Sequence, residues 1–204
     1  MIGENQIAKN ILLDYFENYK TVSFLLPELI ELVIENLIEE KMEYDDDGNL
    51  KSQGILVDGK KHGAWLEWNK GWKTSTTFLH GIEHGEWVKF DTDGQIYNQL
   101  NFANGKKHGE CKMWWRVDQL YRCGTFANDK RHGEWKEWHE NGQLHTSSMW
   151  VGGKKHGMNT EWHRNGQIYF QGCYVDGEKH GVCNWWHGQI HTQKTYVNGM
   201  PNIE

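Results

Sequence analysis

Proline is nearly missing from this chain: there are 2 in 204 residues, Pro27 and Pro201, where a typical protein has ~5%. That excludes collagen-like and proline-rich architectures, and it leaves every backbone donor between the two prolines free to join a hydrogen-bonded ladder. Long apolar runs are missing too. Stretches such as Phe24-Leu25-Leu26 fall far short of the ~18–20 residues that span a bilayer, and the mean hydropathy is −0.82. The start, MIGENQIAKN, has no apolar core of about 7–15 residues behind it, so no secretory signal is expected. The four cysteines, Cys111, Cys123, Cys173 and Cys183, are 12, 50 and 10 residues apart with no C-x-x-C pair. They read as reduced thiols rather than disulfides or a zinc site. A cytoplasmic protein is expected.

What is abundant is Gly (23), Trp (12) and His (12), with 13% aromatic residues. That aromatic content is too high for simple disorder, and with so little proline the turns must be made by Gly, Asn and Asp. Charge is uneven. Residues 1–50 hold 12 acidic and 3 basic residues, residues 51–204 hold 16 and 19, and all His lie in the second part.

A fixed period decides an architecture before any other signal. The dipeptide His-Gly recurs at His62, His84, His108, His132, His156 and His180, with separations of 22, 24, 24, 24 and 24. Six residues after each His stands Trp68, Phe90, Trp114, Trp138, Trp162 or Trp186. Six before stands Leu56, Phe78, Phe102, Phe126, Trp150 or Tyr174. Each unit carries two turn signals, as in Glu140-Asn141-Gly142-Gln143 and Gly152-Gly153-Lys154-Lys155-His156-Gly157, separated by runs too short for helices. One unit is therefore one β-hairpin. Repeats filling residues 44–204 predict an elongated single twisted antiparallel sheet of twelve strands, on the order of 60 Å long. The first unit and the last are each two residues short near a turn, a loss that preserves the alternation of faces.

The columns six before and six after His are expected to form the core by stacking between repeats. The column three after His reads Trp65, Trp87, Cys111, Trp135, Asn159 and Cys183 and has the opposite parity to the six-after column. Either both faces are packed or a bulge re-aims these residues, or Trp65, Trp87 and Trp135 form an exposed partner-binding groove. Beside the His-Gly sites, Lys60, Lys61, Lys106, Lys107, Lys130, Arg131, Lys154 and Lys155 predict a basic edge able to attract phosphates, acidic lipid or an acidic protein.

Units such as Trp150-Val-Gly-Gly-Lys-Lys-His-Gly157 and Glu161-Trp-His-Arg-Asn-Gly-Gln-Ile168 resemble MORN repeats, in the variant form of YwqK-type antitoxins. Similar arrays occur in large DNA viruses of amoebae such as marseilleviruses. The resemblance implies a mainly β, hairpin-array interaction or assembly module without catalysis. It also admits a structural or host-interacting viral protein, placed in the virion or host cytoplasm, and a tether to acidic phospholipid.

Residues 1–43 predict a short N-terminal α-helical pair. Ile7, Ala8, Ile11, Leu12, Tyr15 and Phe16 form one apolar stripe, and Leu26, Leu29, Ile30, Val33, Leu37 and Ile38 a second that ends before Asp45. The pair is expected either to cap the first hairpin's open edge or to dock a partner. Leu26-Pro27-Glu28 faintly resembles the opening of an F-box.

Nucleotide-loop, nucleophile-elbow and zinc-protease motifs are lacking, so no catalytic residue, cofactor, metal or small-molecule substrate is expected. The His ladder cannot share ions, because equivalent residues sit two strands apart, about 9–10 Å, whereas zinc ligands bind at ~2.0–2.1 Å. Each His is expected to hydrogen-bond its own turn. The array's small charge argues against nucleic acid, leaving a protein partner or self-assembly, with an acidic membrane surface as the alternative.

Overall fold

A computed structural model describes residues 37–116 and 118–202. Its strands are β1 (Ile38–Tyr44), β2 (Leu50–Val57), β3 (Lys60–Asn69), β4 (Trp72–Leu79), β5 (Ile82–Phe90), β6 (Ile96–Ala103), β7 (Lys106–Arg116) and β8 (Gln119–Ala127). They continue with β9 (Lys130–Trp138), β10 (Leu144–Val151), β11 (Lys154–Trp162), β12 (Ile168–Val175), β13 (Glu178–His187), β14 (Ile190–Val197) and β15 (Met200–Pro201). All 15 form one antiparallel meander in chain order. The expected twelve strands become fifteen, which puts the sheet on the order of 70 Å long.

The N-terminal helical pair is corrected. Its second helix was expected to run to about residue 43 with Leu37 and Ile38 on its stripe, but among the described residues only Leu37 is helical and Ile38–Tyr44 is strand. Seven residues of β1 pair with β2, so the backbone groups along that side of β2 are satisfied by a ladder, which overrides the local 3.6-residue pattern. The rest of that expectation, including Leu26-Pro27-Glu28, lies outside the described residues.

Two kinds of turn alternate. One is a two-residue hairpin in which both central residues have positive φ, as at Asp58-Gly59, Asn104-Gly105 and Asp176-Gly177. This is the type I′ geometry that matches strand twist and favours Asn-Gly and Asp-Gly. These turns stack: the N–H of Gly81, Gly105, Asp129, Gly153, Gly177 and Gly199 each donates to a carbonyl one repeat earlier, at 2.7–2.9 Å. The other is a four-residue Asx loop, as at Asp91–Gly94, where Asp91 Oδ1 accepts from the N–H of Asp93 and Gln95. The two short units lose this loop. Lys70-Gly71 becomes a tight turn between β3 and β4, and both β3–β4 and β13–β14 pair without a register shift, so the faces are conserved as expected.

His-Gly, however, is not in a turn. His156-Gly157 lies inside β11, and its equivalents lie inside β3, β5, β7, β9 and β13. At each one the register to the preceding strand slips: between Thr76 and Phe78 there are two steps where the partner strand takes four, from Trp87 to Glu83. The glycine takes φ between 66° and 94° in all six, a left-handed conformation that a side chain resists. His-Gly marks a repeated β-bulge.

The bulge fixes which residues are buried. Trp65 is 3% exposed and Trp135 1% exposed, and Cys111, Asn159 and Cys183 of the same column are also buried. Opposite this column, eight residues before each His, stand Gly54, Thr76, Leu100, Gly124, Ser148 and Gly172. The two columns compensate in size. A Cβ on Gly54 would fall inside the Trp65 ring and one on Gly124 inside the Trp135 ring; where the partner is Leu100, the other residue is Cys111. Gly172 faces Cys183, and Phe170 closes the remaining space. The expected core columns, six before and six after His, are only half-buried and flank this seam.

Substituting Gly124→Leu should therefore cost ~3 kcal/mol by overpacking and Trp135→Cys ~3 kcal/mol by leaving a cavity. Gly124→Leu with Trp135→Cys recreates the Leu100–Cys111 pair and should recover at least ~1.5 kcal/mol relative to the sum. Urea unfolding midpoints of the three variants measure this, and strict additivity would sink the pairing argument.

Candidate functional site

One sheet face carries the buried seam, and the cations next to it help cover it. The residue just before each His is Lys61, Glu83, Lys107, Arg131, Lys155 or Lys179. Its main chain pairs with the aromatic six before that same His, as in Phe126 with Arg131 and Trp150 with Lys155. Except at Glu83, its side chain lies over rings of the seam, of the next hairpin, or of both. Lys61 Nζ sits 4.4 Å from the Trp65 ring centre and 5.1 Å from Phe78. The Arg131 guanidinium is 4.5 Å from Trp135 and 4.8 Å from Trp150, and Lys155 is 5.2 Å from Tyr174. Each contact contributes roughly 0.5–1 kcal/mol or more where desolvated, and the alkyl stems cover apolar surface. Burial also lowers the Arg131 pKa from its ordinary value.

The expected basic edge therefore splits in two. Lys61, Lys107, Arg131 and Lys155 are half-buried over rings, whereas Lys60, Lys106, Lys130 and Lys154 are exposed on the opposite face. That opposite row is interrupted at Ile82 and ends in Glu178, with neighbouring lysines about 10 Å apart. Between the lysines and the Asx loops, Glu110 pairs with Lys112 at 3.1 Å and Glu134 with Lys136 at 2.9 Å.

The partner-binding groove of Trp65, Trp87 and Trp135 is also corrected. Trp65 and Trp135 are core, and Trp87 is half-buried against the cluster of Leu100, Cys111 and Trp135. The sequence contained the signal that separates these readings: the column eight before His is small wherever the facing residue is Trp. A cavity of about 740 Å³ does reach Trp65, between the Asp45–Asn49 loop and the Lys70-Gly71 turn. Glu43, Glu67, Lys51 and Lys61 also line it. Its charges are mixed, and Lys61 and Glu67 pair within it at 3.0 Å.

In the fifth repeat the seam becomes polar. Asn159 is buried, its Oδ1 accepting from Lys155 Nζ and its Nδ2 donating to Glu161, both at 2.9 Å. Tyr169 donates its hydroxyl to the same carboxylate. Burial, and then the bond to Glu161, push the Tyr169 pKa up to about 12, so this phenol is held as a donor. Burial likewise raises the Cys111, Cys123 and Cys183 thiols above their ordinary value. Among the described residues no group of three or more His, Cys, Asp or Glu side chains is arranged to hold a metal ion.

The His ladder is placed on the bulges rather than in turns. His84, His108, His132 and His156 are exposed, while His62 is buried at 8% exposure, edge-on to His80 at 5.3 Å. Burial first, and the neighbouring His80 second, lower the His62 pKa from 6.5.

Comparison with known proteins agrees with the repeat geometry. The MORN repeat variant matches residues 83–104, 131–150 and 155–176. Each match is one hairpin from the residue before His-Gly (Glu83, Arg131 or Lys155), around the four-residue loop, and on to or just past the aromatic strand. No curated protein matches the chain. Similar solved structures include TarM, with a TM-score of 0.31 and 14% identity over 70% of this chain. Another is a mutant S. aureus TarM in complex with fondaparinux, alpha-GlcNAc-glycerol and UDP, with a TM-score of 0.32 and 14% identity over 71% of this chain. The chain spans 26–27% of the length of those proteins, and scores this low do not bear on fold or activity. No helix among the described residues is long and apolar enough to cross a membrane.

A histidine buried neutral takes up its proton more readily when unfolded. The His62 contribution to stability is therefore complete above pH 6.5 and is lost as pH falls from there toward the depressed folded value. Urea midpoints should drop between pH 7.5 and 5, and His62→Gln should flatten that slope. An unchanged slope in the variant would show that His62 does not carry it.

Proposed function

We propose that the chain is a non-enzymatic protein-interaction or assembly scaffold. The MORN-variant repeats support a repeat scaffold or binding protein in general terms. One observation supports the narrower reading. Across the repeats the turn and bulge positions keep their character and the seam positions stay packed, while exposed positions vary from Glu110 to Val182 at equivalent places in their strands. The fold consumes the first set and leaves the second free for recognition, as in other solenoid-like arrays. Many of the cations, rings and Asx side chains are already engaged within the fold. No described residue favours an antitoxin, a viral structural protein or an F-box-like adaptor over the general reading.

The exposed row of Lys106, Lys130 and Lys154 supports a second reading, attachment to an acidic membrane surface. Two measurements separate the readings. Affinity capture from the native source should retain proteins that are lost with Glu110→Lys plus Glu134→Lys, although these surface changes shift stability by no more than ~0.5 kcal/mol. Acidic liposomes should not pull the chain down in a salt-sensitive manner. Liposome binding abolished by Lys106→Gln, Lys130→Gln and Lys154→Gln would replace the scaffold by a membrane tether.

A further inference from the structure

The repeats act as internal controls for one another, and on the face away from the seam they diverge sharply. Two residues after His, β5, β7 and β9 carry Glu86, Glu110 and Glu134 and β3 carries the small Ala64, whereas β11 and β13 carry Met158 and Val182, 47% and 46% exposed. Seven before His, Asn101 and Thr125 give way to Met149 and Cys173. Five before His, Ala103 and Ala127 give way to Val151 and Val175, with Val197 at the same place in the last hairpin, although Leu79 in β4 is also apolar and exposed there. The register brings these residues together: Met158 pairs with Cys173, and Val197 with Met200. The same backbone folds with Glu and Thr at these sites one repeat earlier, so folding does not require the apolar choice. Met149, Val151, Met158, Val175, Val182, Val197 and Met200 are 38–75% exposed, an apolar patch of roughly several hundred Å², the size at which patches mark interaction sites.

Two charges sit within the patch, and they identify its occupant. Lys154 on β11 pairs with Val151, and Glu178, at the equivalent position of β13, pairs with Val175, so the two charges flank β12. We propose that this face pairs with the same face of a second copy of the chain, about a two-fold axis running along β12. That axis sets Lys154 against the other copy's Glu178, Met158 against Val182, Val151 against Val197, and Cys173 against its counterpart. An axis across the strands would instead press Lys154 onto Met158 and bury an unpaired charge, which is costly. The patch is close to charge-balanced, so an acidic lipid surface gains nothing from it, whereas a self-complementary partner satisfies both charges. Two sheets packed face to face in this way lie about 10 Å apart. The inference stands apart from the scaffold reading, because a chain with no other partner would pair in the same way.

Sedimentation equilibrium of the full chain tests it. The wild type should dimerise in the micromolar range, and Met158→Glu with Val182→Glu, residues already tolerated at this site in other repeats, should weaken the dimer at least ~10-fold with unchanged circular dichroism. Lys154→Glu should weaken it, and Lys154→Glu combined with Glu178→Lys should restore it. A short bis-maleimide should join two wild-type chains and fail with Cys173→Ser. A monomer throughout that range, a dimer indifferent to Met158→Glu, or charge reversal without rescue would overturn the proposal. Flotation with liposomes that is lost in Met158→Glu would also overturn it, by assigning the patch to a membrane.

Discussion

A single-layer sheet has no second layer to cover it, and that constraint shapes almost every residue choice in this protein. Burial has to be achieved within the thickness of the side chains themselves. The solution is a ring laid flat across the neighbouring strand, which requires the residue beneath it to have no side chain. Trp135 over Gly124 and Trp65 over Gly54 are the clearest cases. Dispersion between such closely packed atoms is individually small and collectively large. Because two residues share one volume, neither can be exchanged alone, and the chain records this as Leu100 with Cys111 and Ser148 with Asn159.

The rings still leave an exposed upper surface, and the cation before each His covers it. This accounts for the otherwise puzzling pairing of a polar composition with 12 Trp. Arg131 and the lysines serve as the missing layer, with stems against the rings and charged heads toward water. Glu83, the one acidic residue in that column, pairs in the ladder with Phe78, a ring that Lys61 from the preceding repeat already reaches. One repeat can therefore supply its neighbour's cover.

Periodicity made the hairpins, the two shortened units and the tight Asn-Gly and Asp-Gly turns legible from sequence. Burial was misread for a physical reason. The two-residue slip at His-Gly keeps the alternation of faces, so parity alone does not say which face packs; the size match across strands, Gly124 beneath Trp135, decides it. In a short sequence a Gly after a polar residue looks the same in a turn and in a bulge, so His156-Gly157 was placed with Gly152-Gly153. The strand character of Ile38–Tyr44 was hidden differently. Its pairing with β2 is a contact between segments, whereas the apolar stripe through Leu37 and Ile38 is local.

The repeat also changes what exposure means. In an ordinary domain an exposed valine is unremarkable, since no neighbouring site shows what the backbone would otherwise accept. Here that reference exists at every position. Glu110 and Glu134 show that the site of Val182 folds with a charge, and Thr125 shows the same for Cys173. Selection for folding acts on all units alike, so it does not explain why Met149, Val151, Met158, Val175, Val182, Val197 and Met200 gather on β10–β15, where the earlier units show only Leu79 and Ile82 as large exposed apolar residues at equivalent sites. A difference that folding does not require, gathered on one face and built around one balanced pair of charges, is a property of what meets that face.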